Sequence, residues 1–208
     1  LGAAPAVCAS FLQGNKNHPL QPMGNDHHSY YLPFATTLRM GDLGYTSNAQ
    51  AGMDVCYNDL DEYISTRRSA ILTPPAPYSQ FDVMDNGERA QLNASLLQIE
   101  NEYYSPIRPK RVAQSGEAPV VALARNGIEY VEVRCVDINP FMPFGIDADT
   151  MRLIDLFLLA CLIDDSPQCD AVGQRQNTIN LQRMVNRGRE NGLTLLSRQG
   201  VETPLPDL

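Results

Sequence analysis

Hydrophobic and polar positions alternate most cleanly over residues 128–137, IEYVEVRCVD, directly after the turn signal Asn126-Gly127. β-Branched and aromatic residues dominate this run, and the pattern predicts a strand. Side chains two apart share a face, so Tyr130, Glu132 and Arg134 point one way while Glu129, Val131 and Val133 point the other. Before it, residues 1–12 are small and apolar and read as the end of a helix or a buried connection, closed by Gln13-Gly14. Residues 15–29, with Pro19, Pro22 and Gly24, read as a surface loop that contains His27-His28. The run from Tyr30 to Tyr45 starts strand-like and is then broken by Gly41 and Gly44 into a tight loop carrying Arg39, Asp42 and Tyr45.

Helical spacing predicts a helix over 58–71, capped by Asn58 with Asp61 three residues on and stopped by Pro74-Pro75. Leu60, Tyr63, Ile64 and Ile71 mark its core face, and Arg67 and Arg68 lie near its end, where the helix dipole favours cations. Residues 81–89 read as a hairpin around Asn86-Gly87. Residues 96–104 alternate again and predict a strand with Glu100, Glu102 and Tyr104 on one face. Residues 105–111 then leave it as a proline-stiffened basic loop with Arg108, Lys110 and Arg111. Pro119 opens a short helix that Asn126-Gly127 closes. After the strand, Asn139-Pro140 and Pro143 end the extended run, and Asp147 can cap a helix over 148–163. That helix is apolar nearly all round, so the pattern predicts central packing. A polar loop over 166–177 and a last helix over 178–189, stopped by Asn191-Gly192, follow, and the tail ends TPLPDL with nothing that reads as finishing a domain.

Totals narrow the picture. The chain has 208 residues, 43% hydrophobic and 19% charged, which fits a globular protein with a real core. A net charge of −8 argues against a nucleic-acid or anionic-membrane surface as partner. The cysteines at 8, 56, 135, 161 and 169 form no CxxC pair and no zinc spacing with the histidines, the usage expected of a reducing cytoplasm. The longest apolar run, 153–163, is too short to span a bilayer. There is no GxxxxGK[ST], GxGxxG or GxSxG motif. The chain opens on Leu1 in what looks like the middle of an element, which reads as a segment of something longer.

The chemistry that stands out is an acid and a guanidinium ~7 Å apart along one strand face, Glu132 and Arg134. Such a pair suits a metal–phosphate site, with the carboxylate on a hard cation and the arginine on phosphate oxygens. On pattern alone, a strand with one solvated face and a cross-strand ion pair is the leading account, and the pattern identifies no function.

Four stretches carry a resemblance: ASFLQG (9–14), TLRMGDLGYT (37–46), LQIENEYYSPIRPKR (97–111) and GIEYVEVRCVDINPF (127–141). They resemble, in order and near spacing, the proteobacterial-type glutamate–cysteine ligases, and the likeness runs on to the region of Gly192. The resemblance implies an α+β, glutamine-synthetase-like (carboxylate–amine ligase) fold, a mostly antiparallel curved sheet with helices outside, of which residues 1–208 are part of a single catalytic domain. It implies ATP, L-glutamate and L-cysteine as reactants, magnesium as cofactor, and γ-glutamylcysteine as product by way of a γ-glutamyl phosphate. By motif position, Glu132 matches a magnesium ligand, Arg134 the arginine on the transferred phosphate, and Arg39 a substrate-carboxylate arginine. Tyr45 and Tyr104 match tyrosines lining the cysteine pocket. Family members are considerably longer, so the missing remainder of the family's chain is an expected partner, and residues 1–208 alone are expected to be inactive, with an exposed, aggregation-prone edge. A same-fold ligase with another amine acceptor and an inactive segment keeping only the fold stay open as alternatives.

Overall fold

The computed structural model describes residues 6–12, 18–25, 28–41, 44, 50, 53, 55–73, 84–85, 87–89, 92–97, 99–168 and 170–205. Expectations placed on Gln13-Gly14, His27, Asp42, Tyr45, Pro74-Pro75, Asn86 and Cys169 lie outside those residues. The chain divides into two compact units, one of residues 46–134 and one of residues 1–45 with 135–208.

In the unit of residues 46–134, helix α1 (Leu60–Leu72) starts two residues after the predicted span of 58–71. Asp59, not Asn58, caps it, its carboxylate accepting from Glu62 N at 2.8 Å. Tyr63, Ile64 and Ala70 on α1 pack with Val55, Leu97, Tyr103, Val120 and Leu123 to form the core. The predicted strand over 96–104 is instead a turn with a short 3-10 helix, Glu100–Glu102. Three bonds outside the local pattern hold it. Glu100 Oε2 accepts from Val120 N at 2.8 Å, Glu100 O from Arg67 Nη2 at 2.5 Å, and Glu102 O from Gln50 Nε2 at 2.7 Å. Glu100, Glu102 and Tyr104 therefore do not line one strand face. The hairpin appears as β4 (Met84–Asp85) and β5 (Glu88–Arg89), paired antiparallel, with Gly87 at φ 86° in the turn.

The basic segment after Tyr104 is no loop either: Ile107–Lys110 forms β6, which pairs antiparallel with β7 (Tyr130–Val133). Between them lies helix α2 (Pro119–Asn126), with proline in its first turn and Gly127 at φ 71° ending it, as predicted. No side chain of its own N-cap, Ala118, closes its first turn; the Glu100 carboxylate does so from a distance in sequence.

In the other unit, residues 6–12 give a strand and a 3-10 turn, not a helix end. β1 (Ala6–Cys8) and β2 (Gln21–Pro22), the latter inside the predicted loop, flank β3 (Ser29–Tyr31) in an antiparallel sheet over Leu12, Leu20 and Leu38. Helix α3 (Ala148–Ile163) has its predicted cap, Asp147, but no residue of it is buried: Phe157 is 65% and Ile163 84% exposed. An apolar composition measures capacity for burial, and no described residue supplies the covering surface. Helix α4 (Ala171–Arg187) begins seven residues before the predicted start, because Asp170 caps it through Val172 N and Gly173 N. The tail adds an unpredicted hairpin, β8 (Thr194–Leu196) and β9 (Glu202–Pro204). It docks on α4 through Asn180, bonded both ways to Leu196 at 2.8 Å, and through a two-pronged Arg183–Glu202 pair at 2.7 and 2.8 Å. None of the described helices is long and apolar enough to cross a membrane.

Candidate active site

The β6–β7 register fixes which side chains meet. Arg108 lies opposite Glu132 and Lys110 opposite Tyr130, and alternate residues share a face, so Arg108, Lys110, Tyr130, Glu132 and Arg134 occupy the same side of the ribbon. Glu132 Oε1 sits 2.9 Å from Arg134 Nη2, and its Oε2 3.6 Å from Lys110 Nζ. Three cations thus share a face with one carboxylate. The hydrogen bond from the Arg134 guanidinium, reinforced by its charge and those of Lys110 and Arg108, outweighs the opposing effect of burial and holds the Glu132 carboxyl below the ordinary carboxylate range. Glu132 stays ionised at neutral pH, and the face keeps a net positive charge suited to an anion.

Glu132 Oε2 is sealed from solvent and accepts no hydrogen bond from the described residues. A carboxylate oxygen left in that state fits one coordination position of a hard cation. No group of three or more His, Cys, Asp or Glu side chains among the described residues could enclose such an ion, so these residues supply one ligand and not a cage.

Behind the ribbon stands a column that the sequence pattern did not reveal. Arg108, 1% exposed, lies with its guanidinium carbon 5.9 Å from the centre of the Tyr103 ring; Arg67 lies 5.4 Å from the same ring and 5.5 Å from that of Tyr63. Arg67 donates to Tyr63 Oη at 3.2 Å and to the Glu100 carbonyl at 2.5 Å. The hydroxyl of Tyr57, a half-exposed residue, shares hydrogens with Tyr103 Oη at 3.0 Å and Ser105 Oγ at 2.5 Å, and Ser105 Oγ donates to the Ile107 carbonyl. Burial first, and then the adjacent Tyr57, push the Tyr103 phenol up, so it remains a neutral hydroxyl. The available signals were the four-residue spacing of Tyr63 and Arg67 and the two-residue spacing of Arg108 and Lys110. The pattern places Tyr63 on a core face and Arg67 near a helix end, and leaves Arg108 and Lys110 in a basic loop equally suited to an anion or to solvent.

Of the residues singled out in the sequence, Glu132 and Arg134 are brought into contact. Tyr104 is in the same unit, 41% exposed, with its backbone N–H bonded to Gln50 Oε1 at 3.0 Å. Arg39 belongs to the other unit and is exposed on a loop that is pinned to the end of α4. Thr36 supplies the pins, its N–H to the Val185 carbonyl at 2.9 Å and its hydroxyl to that of Met184 at 2.6 Å, which also accepts from Gly188 N at the helix end. Gly44 closes this loop, bonding to Gly41 O at 2.9 Å so near the Arg39 carbonyl that a Cβ has no room. Tyr45 lies outside the described residues.

Helices combined with antiparallel strands make this an α+β protein, and its arrangement is that of a known structure. A crystal structure of glutamate–cysteine ligase from Francisella tularensis in complex with AMP matches 99% of this chain at a TM-score of 0.90 and 36% identity, using 41% of that chain. The sequence profile described as Glutamate-cysteine ligase matches residues 1–184. Curated glutamate–cysteine ligases of Shewanella amazonensis and Azotobacter vinelandii are 50% identical over 199 residues and 52% over 205. These cover 96% and 98% of this chain and 38% of each relative. The chain belongs to the glutamate–cysteine ligase family. It spans 38% of the length of those two curated relatives.

Proposed function

We propose that this chain belongs to the single catalytic domain of an ATP-dependent glutamate–cysteine ligase and carries the arginine on the transferred phosphate and one magnesium ligand. In the reaction, the γ-phosphoryl group of ATP passes to a γ-carboxylate oxygen of L-glutamate and ADP departs. The amine of L-cysteine then displaces phosphate, losing a proton, to give γ-glutamylcysteine, the first step of glutathione biosynthesis. Arg134 takes the phosphoryl oxygens and Glu132 is the residue that would hold magnesium. Bound there, magnesium offsets the charge of the phosphates as an anionic carboxylate approaches. Arg39 binds a substrate carboxylate, and Tyr45 and Tyr104 shape the cysteine pocket. We place the reaction in the cytoplasm, a reading supported by the free thiols at Cys8, Cys56, Cys135 and Cys161.

One observation carries this reading: Glu132 touches Arg134 at 2.9 Å with its second oxygen sealed from water, on a strand of the ribbon and not on a loop. The test is phosphate release from magnesium–ATP by the full-length protein, with glutamate and cysteine added separately and together. Fast release requiring both supports a ligase, and Glu132→Gln should then lower the rate by at least about a hundredfold without lowering the melting temperature. Near-normal activity in that variant overturns the role of Glu132; no release with both substrates overturns the activity.

A further inference from the structure

We infer that Arg108 is a positioning residue of this site: its buried guanidinium, fixed on the ring of Tyr103, offsets the charge of Glu132 and so leaves that of Arg134 available to an anion. The inference rests on the roles proposed for Glu132 and Arg134. Arg108 is the cross-strand partner of Glu132 and is 1% exposed, so it acts through its neighbours and not by touching a ligand.

A guanidinium removed from water is unfavourable unless compensated. The Tyr103 ring face at 5.9 Å offsets part of that cost, and the Glu132 carboxylate of the opposite residue attracts the guanidinium through space. The ring is itself held, by Arg67 on one side and by the Tyr57 hydroxyl at its phenolic end. The guanidinium therefore stands on a platform that belongs to the core. The consequence is an electrostatic division of labour. Glu132 pairs with Arg134 at 2.9 Å; with no further positive charge nearby, the pair would be neutral and a poor anion receptor. Arg108 and Lys110 restore a net positive face. The same charge works against any cation placed on Glu132, so Arg108 moves the site's two affinities in opposite directions.

That opposition separates positioning from mere stability. In the full-length protein, Mn2+ alone and inorganic phosphate alone are the probes, their binding followed by paramagnetic resonance and by calorimetry. Arg108→Met keeps the length and removes the charge. It should weaken phosphate binding by about threefold to a hundredfold per unit of phosphate charge, and tighten binding of the divalent Mn2+ by at least about tenfold, for charges ~6 Å apart at effective dielectric constants from ~80 to ~20. Arg108→Lys should restore both constants most of the way. Two constants that fall together, or that do not move, overturn the inference. Should Arg108→Met fail to fold, Tyr103→Leu removes the platform and leaves the charge. It should shift the two constants in the same opposed directions by a smaller factor, and an unchanged pair overturns the proposal. Glu132→Gln guards the underlying reading, since it should remove one bound Mn2+ per chain. If it removes none, the metal role of Glu132 fails whatever Arg108 does.

Discussion

Replacing Arg67 by methionine tests whether the buried column is a structural brace. The side chain donates to the Glu100 carbonyl at 2.5 Å and to Tyr63 Oη at 3.2 Å, and its guanidinium lies between two tyrosine rings at 5.4 and 5.5 Å. The bond from a charged donor to a carbonyl contributes about 1.5–3 kcal/mol, and the ring contacts about 1–2 kcal/mol. Methionine fills nearly the same volume, so little cavity opens. Removing a buried charge also returns part of its desolvation penalty, which leaves a net loss of about 2 kcal/mol. The effect should travel one step further. Arg67 fixes Glu100, and the Glu100 carboxylate holds Val120 N at 2.8 Å at the start of α2. Urea unfolding of the full-length protein should show the loss, and amide hydrogen exchange at Val120 should accelerate with it. Arg67→Lys should fall between, because one ammonium cannot reach both acceptors in the same geometry. A loss under about 0.5 kcal/mol with unchanged Val120 exchange would refute the brace.

Two other outcomes follow from the unit of residues 1–45 and 135–208. The Glu202 carboxyl, held first by Arg183 and then by Thr194, is lowered from 4.5 to about 2. A depressed carboxyl stabilises the fold above its unfolded value and loses that contribution as pH falls through its folded value, so the docking of the β8–β9 hairpin should weaken between pH 4.5 and about 2. Carboxyl-carbon NMR should show Glu202 titrating near the ordinary value in Arg183→Gln; an unshifted titration refutes the pairing. Residues 1–208 prepared alone should self-associate and bind a hydrophobic dye through the exposed face of α3, and Phe157→Glu with Leu162→Glu should lower both without reducing helix content. Sedimentation as a dye-negative monomer would refute that expectation.

Where local chemistry decided the outcome, the sequence was a sufficient guide. Asp147 capped its helix, Pro119 and Gly127 bracketed another, and the alternation around Glu132 gave the right face. The misreadings share one cause, interactions between residues far apart in the chain. Residues 96–104 alternate like a strand, but Arg67, Val120 and Gln50 claim the polar groups of Glu100 and Glu102 and turn the backbone. Arg108 reads as part of a basic loop until its strand is paired and Tyr103 lies beneath it. Composition also overstated α3, since an apolar surface is buried only where something meets it. The roles given to Tyr45, Tyr104 and Arg39 came from family likeness, because the loop pattern that singles out Arg39 carries no signal of what it binds.

Pro109, in the middle of β6 and paired with Val131, gives the ribbon a direction of growth. Arg134 N bonds to Pro106 O, which makes 106–134 a hydrogen-bonded pair and, by alternation, puts Pro109 where its nitrogen faces away from β7. That outward position has no N–H to offer a newcomer, and the neighbouring outward carbonyl, Ile107 O, is already taken by the Ser105 hydroxyl. The flank of β6 is closed to another strand. β7 is different: Val131 is 44% exposed, and no described strand pairs with its outward main-chain groups. Any strand recruited to this ribbon must join beyond β7, which turns the strand bearing Glu132 from a margin into an interior one and braces it on both sides.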